Sequence, residues 1–164
     1  MQNREPLTDT LQRRVKGACR LAVVGIGDEL IPHDRLGMFV AREIEHLHLP
    51  GVKVFFAGTV PESITGPLRR YRPEHVLFLD AADMGERPGT IAVIGPGEIR
   101  ASLVSTHVLP LSVVMDYVEG EIGTDVTLLG IQPDFTHPEK DLSEEDREFL
   151  NHNLRVVSDI LRER

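Results

Sequence analysis

Apolar positions along the chain switch repeatedly between two spacings, and the switches divide it into alternating helices and strands. Leu7, Leu11 and Val15 recur every four residues, the mark of a short N-terminal helix. Leu21-Ala22-Val23-Val24 follows as an unbroken apolar run closed by Gly25 and Gly27, as a strand buried on both faces reads. Leu36, Phe39, Val40, Ile44 and Leu47 then line one side of a helix that Pro50-Gly51 terminates. Val52 to Phe56 is a second strand. A weaker helix runs from about 62 to 71, interrupted or delayed by Gly66-Pro67.

The alternation continues to the C-terminal end. Val76 to Leu79 is a third strand ending on Asp80, and Ile91 to Ile94 a fourth, closed by Gly95-Pro96-Gly97. Leu111, Val114, Met115 and Val118 fall on one face of a helix with Pro110 in its first turn. Val126 to Leu129 is the fifth strand. After a polar loop, Ser143 can cap a last helix whose Leu150, Leu154, Val157 and Leu161 face inward. Strands alternating with helices predict an α/β fold of three αβα layers, with a mostly parallel, twisted sheet of about five strands. Without a repeat or low-complexity linker, residues 1–164 read as one domain.

Composition narrows the possible functions. A net charge of −8 argues against a nucleic-acid surface, and Arg13, Arg14 and Lys16 read as the solvated side of a helix. The polar N-terminus lacks a signal peptide's apolar stretch, and no run approaches the roughly 20 residues of a membrane span. A cytoplasmic protein is expected. Cys19, the single cysteine, excludes a disulfide framework or a cysteine zinc site and reads as a small buried residue in a reducing compartment.

In a parallel α/β sheet, ligands bind beyond the carboxyl ends of the strands. Three residues stand out there. After the first strand, Gly25-Ile26-Gly27 leads to His33 and Asp34; a dinucleotide fingerprint would need a third glycine where Leu30 stands. Asp34 reads equally as a helix N-cap. Asp80 ends an apolar strand, where a carboxylate is costly without a partner or ion, although a turn or cap role fits as well. His107, in Ser105-Thr106-His107 ahead of a helix, reads singly as a loop histidine. Together, two carboxylates and an imidazole would form an N/O site for a divalent transition metal with open positions for water or substrate. Such a metal could polarise a peptide carbonyl or lower the pKa of bound water.

These residues lie in stretches that resemble a known family. Val24 to Gly27 through Asp34 with Gly37, Gly58-Thr59-Val60-Pro61-Glu62, Phe78 to Gly85, Ser105 to His107, and Leu129 to Asp134 occur in the order and spacing of the nickel–iron hydrogenase maturation endopeptidases. The branch it is most similar to processes formate-hydrogenlyase-type large subunits. The resemblance implies a five-stranded sheet between helices and assigns metal ligation to Asp34, Asp80 and His107, with Asp34 and Asp80 also catalytic. It implies removal of a C-terminal extension from a hydrogenase large-subunit precursor once nickel is seated there. Nickel would thus arrive with the substrate, and other divalent transition metals could occupy the site. Arg35, Thr59 and Gln132, within or beside the matched stretches, are expected to contact substrate.

The chain departs from the family pattern twice. Arg35 stands where many relatives have glycine, and Phe56 and Ala57 where several carry an acid. The chain is expected to act as a monomer or weak oligomer. Two other readings use the same residues: a nickel-binding accessory protein that docks on immature hydrogenase without cutting it, and a ligand-binding domain whose acids are all caps.

Overall fold

The computed structural model describes residues 4–95, 98 and 110–164. In chain order the elements are α1 (Leu7–Val15), β1 (Leu21–Ile26), α2 (Leu36–His46), β2 (Val52–Gly58), α3 (Thr65–Tyr71), β3 (His75–Ala81), β4 (Ile91–Ile94), α4 (Leu111–Tyr117), β5 (Asp125–Ile131) and α5 (Glu144–Glu163). A 3₁₀ turn over Pro61–Ile64 leads into α3, and a π-helical turn over Val118–Ile122 extends α4.

The strands form one sheet in the order β2-β1-β3-β5-β4. Pairs β1–β2, β1–β3 and β3–β5 are parallel, and β4 runs antiparallel on β5. This is the mostly parallel α/β architecture the apolar pattern predicts. β1 and β3 are buried along their whole length, as their uninterrupted apolar runs require.

Side chains alternate between two cores. Leu21, Val23, Leu77, Leu79, Leu129 and Ile131 pack under α1, α2 and α5. Ala22, Val24, Val76, Phe78, Val126 and Leu128 pack on the other face with residues of the 3₁₀ turn, α3 and α4. Strand periodicity therefore sends Asp80, two residues after Phe78, toward the α3–α4 face.

Several local expectations need adjustment. α2 stops at His46, and His48 takes a left-handed φ of 47°, so Leu47 is 44% exposed rather than packed inward. Pro110 precedes α4 as its flanking residue instead of lying in the first turn. The helical break expected near Gly66-Pro67 falls earlier, where the 3₁₀ turn gives way to α3 at Thr65. Cys19 is exposed, because it lies in the turn before β1 and not in the strand. Ser143 caps α5 as expected, accepting a hydrogen bond from Asp146 N at 3.1 Å.

Candidate active site

The carboxyl ends of β1 and β3 lie side by side at the centre of the sheet, and the chain leaves them in opposite directions. From β1 it turns through α2 to β2 at one edge, and from β3 it goes to β4 at the other. Loops that diverge in this way open a crevice, the usual ligand site of such sheets. Asp34 lies in the loop leaving β1, and Asp80 is the penultimate residue of β3.

A tight loop holds Asp34. Its Oδ2 accepts from Asp28 N at 3.0 Å, its own N–H donates to Ile31 O at 3.0 Å, and Asp28 Oδ1 accepts from Leu30 N at 2.9 Å. The residue flanking α2 is Arg35, so Asp34 braces its own loop instead of capping the helix. Glycine makes this closeness possible. Gly27 has φ 131°, and a Cβ there would sit 1.9 Å from Asp34 O. At Gly37, a Cβ would meet Leu79 O at 2.3 Å and Ile26 O at 2.4 Å, so α2 begins directly against the ends of β1 and β3. Asp34 is thereby delivered beside the strand end that carries Asp80.

Asp34 is 8% exposed, and Asp80 is fully buried. Gly130 is Asp80's partner in β5, and Met84 and Ile94 fill the space above it. Glu62, in the 3₁₀ turn after β2, has a buried Oε2 with no hydrogen-bond partner, placing another carboxylate beyond a strand's carboxyl end. His107 lies outside the described residues. Among the described residues, no three His, Cys, Asp or Glu side chains gather as a metal-holding group. Asp34 and Asp80 are thus two buried acids near the crossover between β1 and β3, and oxygen donors of that kind suit a hard divalent cation.

The residues expected to contact substrate fall in different settings. Arg35 pairs with Asp141 at the mouth of a groove. Thr59 is exposed just past β2. Gln132 is buried, and its amide is occupied within the protein. Its Oε1 accepts from Met84 N at 2.6 Å, and its Nε2 donates to Asp83 Oδ1 at 3.3 Å and to Pro133 O at 3.2 Å. It fastens the loop that leaves Asp80. His33 links two loops, with Nδ1 3.1 Å from Pro138 O and its ring 6.1 Å from that of Phe135. The Phe135–Asp141 loop therefore packs on the Asp34 loop. Nothing in the local sequence signals these long-range ties.

Comparison with known proteins agrees with this architecture. A family profile described as hydrogenase maturation protease matches residues 38–159, a span that includes Asp80 and starts just beyond Asp34. The chain is 28% identical over 165 residues to a putative hydrogenase maturation protease of Methanocaldococcus jannaschii, covering 94% of this chain and 98% of that protein. It is 33% identical over 127 residues to the hydrogenase 3 maturation protease of Escherichia coli K12, covering 73% and 81%. The crystal structure of the [NiFe] hydrogenase maturation protease HycI from Thermococcus kodakarensis superposes with a TM-score of 0.78 at 30% identity, covering 93% of this chain and 99% of that one. Agreement of sequence and fold along most of its length shows that the chain belongs to the hydrogenase maturation protease family and is a peptidase.

Proposed function

We propose that this peptidase removes the C-terminal extension of a nickel–iron hydrogenase large subunit after nickel insertion, recognising the metal that the substrate carries. The observation that carries the reading is the pair of buried carboxylates, Asp34 and Asp80, beside the crossover between β1 and β3. Neutral side chains alone would leave an incoming cation's charge without an offset. Two carboxylates offset its charge while leaving coordination positions to the substrate. His107 would complete the set as the nitrogen donor.

In this reading the nickel is part of the substrate. Held by the precursor's own ligands, it is captured by Asp34, Asp80 and His107, which brings the adjacent peptide bond to the crevice. Fixing that bond beside a water can remove roughly 7–11 kcal/mol of the barrier. Either carboxylate can take the proton of the attacking water, a contribution of roughly 10²–10⁴-fold. Arg35 and Thr59 border the substrate path, and Gln132 serves it by fixing the loop after Asp80. Hard oxygen donors favour transient capture over retention, so the resting enzyme holds little nickel, though other divalent transition metals could enter. The enzyme acts in the cytoplasm as a monomer or weak oligomer. Among the described residues, no helix is long and apolar enough to cross a membrane.

Mass spectrometry of purified precursor after incubation with the protein tests this. Nickel-loaded precursor should be shortened at its C-terminus, while metal-free precursor stays intact. Equal cleavage of both forms by metal-stripped enzyme would refute the substrate-borne trigger.

A further inference from the structure

On the α2–α5 face, a groove of about 360 Å³ starts at Arg35, one residue from Asp34, and runs between the two helices. Its floor is apolar, made by Leu36 and Phe39 of α2 with Leu142 and Leu150 beside them. Its rim is cationic. Arg35, Arg42 and Arg147 face two acids, Glu29 and Asp141, in a chain whose net charge is −8. Asp141 is shared: it pairs with Arg35 and stands 4.0 Å from Arg147, whose side chain is 55% exposed. Arg42 pairs with Glu29 and lies 5.0 Å over the Phe56 ring.

The same two loops that wall the groove hold apolar side chains out in water. Leu30, at the tip of the loop carrying Glu29 and Pro32, is 90% exposed; Ile31 is 38% and Phe135 39% exposed. Hydrogen bonds fix the Leu30 turn outward, so the exposure is built into the loop. Exposed apolar groups continuous with an apolar cleft mark a surface meant to be covered.

We propose that this groove docks the stretch of substrate polypeptide beside the scissile bond, and that it selects a stretch pairing an apolar side chain with a carboxylate. The apolar group seats on Phe39 and Leu142, and the carboxylate takes the loosely paired Arg147 at the rim. The assignment rests on the peptidase reading above and adds which part of the precursor is read. It also gives a place to Arg35, which lines the groove one residue from Asp34. Complementary rim charges act on encounter and orientation more than on the chemical step.

The test is steady-state cleavage of nickel-loaded precursor by wild type and by Arg147→Glu. The variant should raise KM roughly tenfold at low salt and hold kcat within about twofold. A set of precursors, each with one acid near the cut changed to lysine, should contain one that restores KM for Arg147→Glu while impairing wild type. Unchanged KM, or a raised KM that no swap restores, overturns the proposal. So does a concentration-dependent dimer that Arg147→Glu dissolves with KM unaffected, since a second copy then covers the groove. If wild type cuts no precursor, the proposed precursor processing fails by itself. The groove is then judged by fluorescence anisotropy of labelled precursor, which wild type should bind at least about tenfold tighter than Arg147→Glu. Equal binding overturns the groove as well.

Discussion

Gly37→Ala sets two opposite effects against each other, and the structure decides between them. In an ordinary helix interior, replacing glycine by alanine stabilises by about 1 kcal/mol. At Gly37 the added methyl would lie 2.3 Å from Leu79 O, 2.4 Å from Ile26 O and 2.9 Å from Leu79 C. A carbon and a carbonyl oxygen normally approach to about 3.3 Å, so the start of α2 must retreat by roughly 1 Å. All three obstacles are backbone atoms in buried strands, so no flexible side chain can yield. Overpacking of this kind costs about 1–3 kcal/mol, with this site near the upper end because relief requires moving backbone. The net expectation is a loss of about 2 kcal/mol, or a thermal midpoint lower by roughly 4–8 °C in a chain of this size.

Activity should fall further than stability. The retreat carries Asp34 away from Asp80, and a misplacement of about 1 Å can cost on the order of 10²-fold in rate. Differential scanning calorimetry and cleavage of nickel-loaded precursor by folded protein measure the two effects separately. Gly120→Ala is the control: Gly120 is exposed in the π-helical turn, and a Cβ there meets nothing within 4 Å. It should leave activity intact and gain up to about 1 kcal/mol. A Gly37→Ala protein as stable and as active as wild type would show that α2 is not what holds Asp34 at the crevice.

Two further predictions concern buried titratable groups. Asp80→Asn keeps the shape of a fully buried side chain and removes its charge, so processing should drop by about 10²-fold or more with the thermal midpoint unchanged or raised; an Asp80→Asn protein that unfolds yet cleaves normally in its folded fraction would make the residue structural. His75 is buried, with Nε2 2.8 Å from Thr127 Oγ1, and burial lowers its pKa below the usual 6.5 despite the opposing pull of Asp125. The unfolded chain therefore binds the proton more readily, so His75's contribution is present above pH 6.5 and is lost as pH falls through its lower folded value. Urea melts between pH 7.5 and 5 should show stability falling toward acid, with a shallower slope in His75→Gln; parallel slopes would rule out His75 as the source.

What the sequence reveals of this fold depends on how local each cause is. β1 and β3 are legible because a strand covered on both faces needs apolar residues at every position, and Leu21-Ala22-Val23-Val24 and Val76 to Leu79 supply them. The positions of Asp34 and Asp80, in the loop after β1 and at the end of β3, are legible for a related reason: each comes after such a run. β4 reads as a strand, but its reversed direction depends on pairing with β5, which lies some thirty residues away, and apolar content does not encode polarity. Leu47 continues the spacing of α2 perfectly and still faces water, because the left-handed turn at His48 ends the helix before periodicity does.

The missed contacts share a feature. Gln132 clamps Met84 N from 48 residues away, and Arg42 and Arg147 of the groove come from α2 and α5, more than a hundred residues apart. On their own helices, Arg42 and Arg147 read as ordinary solvated positions. Only the fold, which brings α2 and α5 to one groove, makes them part of the rim of a cleft. Departure from the family pattern was the one local clue. Arg35 stands next to Asp34 where the resemblance leads one to expect glycine, and the structure gives that cation an acidic partner, Asp141, on the facing loop. A residue that breaks a pattern beside Asp34 and finds its partner across a groove would, on the proposed function, bear on what the enzyme recognises and not on the cleavage chemistry.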